Sequence, residues 1–327
     1  MTHSILKRPR RNRRSPAIRS LVAETLLSPA DLVACFFIID GEKKREAIPS
    51  LPQVFKLSID EVLKEAEKLH KKGVPAIALF PVIDPSLKNS LGSEALNEKG
   101  LIPRAIRALK KELPTLCVIT DIALDPFTSH GHDGVLEGSA VDNDKTIEIL
   151  AQMAHLHAVC GADFVAPSDM MDGRVKAIRT ELDAHDFTNV GIISYTAKYT
   201  SSLYAPYREA LSSAPTIGDK KGYQMNPANT REALLEASLD AEEGADILLV
   251  KPGLFYLDII AKIREAIPLP ICAFHVSGEY AMVMAAHEKG YLDAPKVFYE
   301  ALLCFKRAGA DFVFTYAAPL IIDQLQM

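Results

Sequence analysis

The sequence predicts a single α/β domain closed as a (β/α)8 TIM barrel, preceded by an extended N-terminal arm. Three observations predict it. Eight short apolar runs recur along residues 31–327, and nearly every pair is separated by a segment of helical period. A Gly-Ala-Asp triplet recurs at Gly161-Ala162-Asp163, Gly244-Ala245-Asp246 and Gly309-Ala310-Asp311, each time between a helical segment and an apolar run. The glycine of each suits a helix end in the left-handed conformation. No G-x-G-x-x-G follows the first apolar run, which weakens the rival architecture, a doubly wound open sheet of the dinucleotide-binding kind. With 327 residues, 48% of them hydrophobic, the chain can bury one large core.

Residues 1–30 form the arm. Lys7, Arg8, Arg10, Arg11, Arg13, Arg14 and Arg19 all precede the first acid, Glu24. Such a run could bind nucleic acid, stand in solvent, or pack on a neighbouring subunit. No aromatic is interleaved with it and the whole chain carries a net charge of −5, so the third reading is preferred. No apolar stretch of signal-peptide type follows the basic residues, and no run reaches the roughly 18 residues that span a bilayer. A cytoplasmic protein is expected, with organelle targeting by the arm left open. The five cysteines, Cys35, Cys117, Cys160, Cys272 and Cys304, are scattered and never at C-x-x-C spacing. That pattern fits a reducing compartment and no cysteine-ligated zinc.

From residue 31 the elements follow in order. Residues 33–39 are the first strand. Residues 57–72 are a helix, with Ser58 as N-cap and Gly73 as stop. The second strand is 76–80, followed by a long polar loop, 84–100, and a helix, 103–113. The third strand, 115–120, ends at Asp121, and a loop runs over 122–138. A helix over 143–160 leads to the short fourth strand, 164–166, with Ser168 and Asp172 just beyond it. Residues 171–185 are helical. The fifth strand is 190–195, with Tyr195 at its end and Lys198 three residues past it. A polar excursion that includes aromatics covers 200–222, and a helix covers 226–243. The sixth strand, 247–250, is followed by a helix over 257–266. The seventh strand, 271–275, is followed by helices over 279–289 and 295–307, and the eighth strand is 312–316.

Chemistry in such a barrel collects at the C-terminal ends of the strands. The sixth strand, Asp246-Ile247-Leu248-Leu249-Val250-Lys251-Pro252-Gly253, ends in a lysine. Burial there would lower its pKa and free neutral amine, which can attack a ketone and form a Schiff base. A lysine that snorkels at a strand end is the plain alternative. Lys198 comes from the adjacent strand, and two nearby ammonium groups lower one another's pKa. Asp121, Ser168, Asp172, Ser277 and Tyr316 are delivered to the same rim. The excursion carries Arg208, Lys220 and Lys221, cations that would let a lid clamp a carboxylate, or that simply stand in solvent. The loop after the third strand mixes Asp125, His130, His132 and Asp133, an oxygen-rich set that suits a hard cation better than a soft one.

At these residues the chain resembles the porphobilinogen synthases, also called delta-aminolevulinic acid dehydratases. The resemblance extends from the arginine-rich arm to Tyr316 and rests on long motifs. They are Thr120-Asp121-Ile122-Ala123-Leu124-Asp125-Pro126-Phe127-Thr128-Ser129-His130-Gly131-His132-Asp133-Gly134, Ala166-Pro167-Ser168-Asp169-Met170-Met171-Asp172-Gly173, Ser194-Tyr195-Thr196-Ala197-Lys198-Tyr199, Lys221-Gly222-Tyr223-Gln224-Met225-Asn226-Pro227, Leu249-Val250-Lys251-Pro252-Gly253, and His275-Val276-Ser277-Gly278-Glu279-Tyr280-Ala281-Met282.

The resemblance implies a hydro-lyase that condenses two 5-aminolevulinate molecules to porphobilinogen with loss of two waters, in tetrapyrrole (heme) biosynthesis. It implies Schiff bases on Lys251, for the substrate that supplies the propionate side, and on Lys198, for the acetate side. Arg208 and Lys220 then match the lid cations on the acetate-side carboxylate, Ser277 and Tyr316 the hydroxyls on the propionate-side carboxylate, and Asp121 a carboxylate near the amino group. Where the zinc-dependent branch has three cysteines, this chain has Ala123, Asp125 and Asp133, as in the aspartate-rich branch that is associated with magnesium or a monovalent cation. Glu236 matches a remote allosteric magnesium ligand, while Asp125 and Asp133 are either metal ligands or polar groups of a metal-free site. The resemblance also implies a homo-octamer built from arm-embracing dimers, with no nucleic-acid or membrane partner. Two rivals remain: a class I aldolase with one essential lysine, and an RNA-binding barrel that uses residues 7–19.

Overall fold

Eight parallel strands, hydrogen-bonded in chain order and closed first to last, carry the core of the molecule. The computed structural model describes residues 5–325. The barrel strands are β1 Leu32–Ile38, β2 Ala76–Pro81, β3 Cys117–Ile122, β4 Phe164–Pro167, β5 Gly191–Lys198, β6 Ile247–Lys251, β7 Ile271–His275 and β8 Phe312–Thr315. Closure is the pairing of Leu32 with Val313 and Ala34 with Thr315. Both faces of each strand are covered, so the runs are apolar throughout rather than alternating. The open-sheet rival is thereby excluded.

The helices that follow the strands are α1 Ile59–Lys71, α2 Leu101–Glu112, α3 Asn143–Cys160, α4 Arg174–Ala184, α5 Ala205–Leu211, α6 Arg231–Glu243, α7 Leu257–Ala266, α8 Ser277–Glu288 and α9 Ala294–Ala308, with a four-residue helix, Ala318–Ile321, after the last strand. The three Gly-Ala-Asp triplets behave as expected at the glycine. Gly161, Gly244 and Gly309 end α3, α6 and α9 with φ of 102, 105 and 117°. The aspartate has a use that periodicity did not reveal. Asp163, Asp246 and Asp311 each accept the backbone N–H near the start of the preceding strand, from Val118, Ile192 and Ile271 at 2.8, 2.7 and 2.8 Å. Each triplet therefore ends a helix and ties two strands together.

Several boundaries differ from the sequence reading, and the differences have local causes. Strand β3 runs through Asp121 to Ile122, and β5 runs through to Lys198, so both residues sit on strands rather than beyond them. Helix α4 starts at Arg174 because Gly173 before it is left-handed, at φ 74°, which leaves Asp172 in the turn. Helix α6 starts at Arg231, after a turn that contains Pro227. Helix α8 starts two residues earlier than expected, at Ser277. The loop 84–100 contains the 3-10 turns Pro85–Leu87 and Ser93–Leu96. A hairpin of Arg45–Ala47 with Phe55–Leu57, and helix α5 inside the excursion, were not anticipated. Among residues 5–26 no side chain is buried, although they form a 3-10 turn at Pro9–Arg13 and a helix at Pro16–Leu21. Among the described residues no helix is long and apolar enough to cross a membrane.

Candidate active site

Lys251 and Lys198 end adjacent strands as register partners. Neighbouring strands lie about 4.8 Å apart, so the two side chains start side by side. A bulge produces this pairing. Leu248 faces Ser194 but Val250 faces Ala197, so β5 uses one residue more than β6 over this stretch. Side chains alternate across a strand. Without the extra residue Lys251 would pair with Ala197, and Lys198 would point to the other face.

Lys251 is 5% exposed, and its Nζ sits among aromatic faces. It lies 4.4 Å from the ring centroid of Phe274, 5.0 Å from Tyr207, 5.1 Å from Tyr195 and 5.4 Å from Tyr204. Burial, with the Lys198 charge adding to it, lowers the Lys251 pKa to about 7; the charges of Asp121, Asp125 and Asp133 oppose the shift without cancelling it. Burial also raises Asp121 to about 7, against the pull of Lys251, and Asp121 Oδ1 has no hydrogen-bond partner among the described residues. An amine and a carboxyl that titrate together near neutrality are suited to proton exchange during carbonyl chemistry.

Lys198 is held differently. Its Nζ donates to the Ser168 carbonyl and lies 3.3 Å from Asp133 Oδ2. Lys220 donates to Asp133 Oδ1 at 2.7 Å and lies 3.7 Å from Asp125 Oδ2. Burial disfavours the Lys220 charge, but Asp133 and Asp125 outweigh it and raise its pKa. Burial disfavours the Asp133 charge too, yet Lys198 and Lys220 outweigh it and lower Asp133 to about 2. Asp133 thus accepts from two ammonium groups and Asp125 forms an ion pair with one of them, which is the metal-free reading of these two residues.

The excursion closes over the mouth. The Tyr207 N–H donates to Ser277 Oγ at 3.1 Å, and Ser277 Oγ donates to the Leu203 carbonyl at 3.2 Å. Tyr204 donates to the carbonyls of Tyr199 and Lys251 at 2.8 and 3.1 Å. Lys88 donates to the carbonyls of Leu211 and Ser212 at the end of α5, at 3.2 and 3.1 Å. Farther along, the Thr216 N–H donates to the His130 carbonyl at 3.0 Å, and His132 Nε2 donates to the Ile217 carbonyl at 2.7 Å. The lid lies so close that a Cβ on Gly278 would meet the Leu203 carbonyl oxygen at 2.5 Å.

Most of the residues expected at the rim gather here. Asp125, Asp133, Ser168, Lys198, Arg208, Lys220 and Lys251 line one narrow cleft. The Arg208 guanidinium lies 5.8 Å from the Tyr204 ring centroid and has no carboxylate partner among the described residues, so it is an available cation beside the cleft. Tyr316 lies deeper, its ring stacked on Phe37 at 5.5 Å. Asp172 does not join the cluster. It is exposed and lines a neighbouring cavity of about 580 Å³ together with Asp219, Glu232 and Glu236. The buried carboxylate of that segment is Asp169, which accepts from the Met171 N–H at 2.7 Å and lies 3.7 Å from Arg174 Nε. Arg174 in turn pairs with Asp240 at 3.2 Å. Asp169, Arg174, Tyr204, Tyr207 and Phe274 carry no sequence signal that marks them for the site. Only the aromatic content of the excursion hinted at the cage.

Paired buried amines at the lidded mouth of a parallel barrel, one of them with a pKa near 7, define a class: barrel enzymes equipped for imine-forming carbonyl condensation. Comparison with known proteins narrows the class. The family model described as "Delta-aminolevulinic acid dehydratase" matches residues 6–324. A delta-aminolevulinic acid dehydratase of Chlamydia pneumoniae is 52% identical over 98% of this chain and 97% of its own length. A chloroplastic one of Glycine max is 53% identical over 95% of this chain and 76% of its length. The solved structure of the Toxoplasma gondii enzyme, described as a complex with the reaction product porphobilinogen, superposes with a TM-score of 0.96 at 49% identity, covering 98% of this chain and 92% of that one. This chain belongs to the delta-aminolevulinic acid dehydratase family. Its activity is that of the family, the porphobilinogen synthase reaction of tetrapyrrole biosynthesis.

Proposed function

We propose that the reaction, condensation of two 5-aminolevulinate molecules, proceeds through imines on both Lys251 and Lys198. The observation that carries this reading is their register pairing, with Lys251 in an aromatic cage. Lys251, with its pKa lowered to about 7 by burial, attacks the ketone of one substrate and releases water as the imine forms. Lys198 captures the second ketone, again with release of water, after giving up the ammonium proton that it directs at Asp133 in the resting pair. One imine draws electrons from the adjacent C–H, whose proton leaves to a nearby base, and the resulting carbon nucleophile adds to the carbon of the other imine, which forms the C–C bond and leaves that lysine attached as an amine. The amino group of one substrate displaces a lysine from the imine that persists and closes the ring. Elimination of the remaining lysine from the carbon where the C–C bond formed, with loss of a further proton, makes the pyrrole and frees both amines. Asp121, raised to about 7, is the group best suited to hold and return these protons.

Arg208 and Lys220 bind the acetate-side carboxylate, Ser277 and Tyr316 the propionate-side one. For Lys220 this requires exchanging Asp133 for substrate, and for Ser277 it requires releasing the Leu203 carbonyl. Ser168 acts through its carbonyl, which receives Lys198. Borohydride reduction in the presence of 5-aminolevulinate, followed by peptide mapping, is expected to give adducts on both lysines. An adduct on Lys251 alone would reject the two-imine scheme, and none on folded protein would reject both sites.

The chain is read as a member of the aspartate-rich, non-zinc branch. The five cysteines are free and scattered, and Ala123, Asp125 and Asp133 supply no thiolate. A hard cation, Mg2+ or a monovalent ion, fits the cavity at Glu236, which is lined by carboxylates of Asp172, Asp219 and Glu232. Burial raises Glu236 to about 7, eased by Arg174 and reinforced by Asp240 and Asp172. Oxygen donors of this kind suit a largely hydrated Mg2+, whose bound charge would favour the ionised Glu236 and stiffen the cavity wall. Asp125 and Asp133 do not fit a metal, because a dication there would have to evict Lys198 and Lys220. Activity is expected to fall on EDTA treatment and return with Mg2+ alone. A requirement for Zn2+ would overturn the branch assignment.

The arm, residues 1–30, is read as a subunit-association segment and 31–327 as the catalytic barrel, in a homo-octamer of arm-embracing dimers. Support comes from Leu6, Leu21 and Leu26, which are 84, 85 and 77% exposed in the single chain and need a partner surface. Deleting residues 1–30 is expected to reduce the particle mass seen by light scattering while leaving a folded barrel. Unchanged mass would remove the arm from assembly. Free thiols fit a reducing compartment such as the cytoplasm.

A further inference from the structure

We propose that His155, Glu181 and His185 form a binding site for a borderline divalent transition-metal ion, represented by Zn2+, on the outer wall of the barrel. The three lie on neighbouring elements. His155 is near the end of α3, Glu181 is on α4, and His185 is the C-terminal cap of α4. Strands run toward the mouth and helices run back, so these ends lie at the opposite end of the barrel from Lys198 and Lys251. Nothing in the condensation uses them.

Glu181 and His185 are four residues apart on one helical face, and α3 packs against α4 to bring in His155. The two imidazoles stack with centroids 4.1 Å apart at 22°. Glu181 Oε1 lies 3.8 Å from Nδ1 of His155, and 3.4 Å from Nδ1 of His185, the nitrogen through which that ring is anchored while its other nitrogen faces an ion. One ligand atom from each residue falls within 4.8 Å of the others. A tetrahedral ion with bonds of 2.0–2.1 Å holds its donors about 3.3 Å apart, so the side chains must draw in by at most about 1.5 Å. They are half-buried or exposed, so the side chains have room for that movement.

The chemistry selects the ion. Two imidazole nitrogens and one carboxylate suit zinc and its neighbours, whereas Mg2+ prefers oxygen throughout. His185 Nδ1 donates to the Glu181 carbonyl at 2.9 Å, which fixes the tautomer and leaves Nε2 as a lone-pair donor, the usual support for a metal-binding imidazole. His155 makes no hydrogen bond among the described residues, and its ring rests against Phe187 at 5.6 Å. Glu181 has no lysine or arginine partner there either. The exposed side of His185 leaves a further coordination position to water.

The test uses the full chain, freed of metal and dialysed against micromolar Zn2+ with Mg2+ in large excess. The wild-type protein is expected to retain one Zn2+ per chain and to melt at a higher temperature with Zn2+ than without. His155→Ala and His185→Ala are each expected to lose that ion and the melting shift, with synthase activity unchanged. Glu181→Gln, which preserves shape, is expected to weaken binding and serves if either alanine variant fails to fold. Retention of the ion at wild-type affinity in the folded variants would overturn the proposal, as would no Zn2+ on the wild-type protein.

Discussion

Lys251→Met is expected to lower kcat/KM by at least about 10⁴-fold, a loss of roughly 5 kcal/mol of transition-state stabilisation. The methionine fills the aromatic cage formed by Phe274, Tyr195, Tyr204 and Tyr207 without strain, so the loss reports chemistry rather than folding. The same amine sets the acid limb of the pH profile. Its pKa is lowered to about 7, chiefly by burial, so neutral nucleophile accumulates as pH rises through 7 and kcat/KM climbs with it. Two substitutions should move the limb in opposite directions. Lys198→Met removes a like charge and moves the midpoint for trapping on Lys251 to higher pH. Asp121→Asn removes a stabilising anion and moves it to lower pH. Borohydride trapping as a function of pH reads both shifts. A midpoint that stays put in both variants would dissociate Lys251 from these neighbours.

Asp133→Asn is expected to destabilise the fold by about 3–5 kcal/mol at neutral pH, because it leaves Lys198 and Lys220 buried with their shared anion gone. Asp125, 3.7 Å from Lys220, and the Ser168 carbonyl, which accepts from Lys198, partly compensate. The pH dependence has a definite sign. The folded pKa of Asp133 is lowered to about 2 from 3.8, with burial opposing the shift and the two lysines prevailing. Its contribution to stability is therefore fully present above about pH 4 and is lost as pH falls through 2. Urea unfolding at pH 7 and pH 3 should show the difference between wild type and variant shrinking at the lower pH. Equal stability at pH 7 would reject Asp133 as the anion that holds the two lysines.

The barrel was legible because its signal is local. Apolar runs covered on both faces, helical periods and a left-handed glycine after a helix are properties of a few consecutive residues. The strand-end chemistry was legible for the same reason: Lys251 closes an apolar run and Pro252 and Gly253 follow it. Asp172 was misplaced by a neighbouring local signal, since a helix was expected from residue 171 and Gly173 holds the chain out until Arg174. The cage was missed because Tyr204 and Tyr207 sit in a polar excursion and approach Lys251 only when the lid folds back.

By itself the sequence determined a closed run of strand–helix units and the residue types carried to its mouth. Tertiary structure alone decided their partnership. The extra residue of β5 between Ser194 and Ala197 turns Lys198 to the side of Lys251, and the lid commits Lys220 to Asp133. A strand's own residues specify its alternation. The register against its neighbour, and the carboxylate that a buried ammonium finds, depend on groups tens of residues away that meet only in the folded barrel.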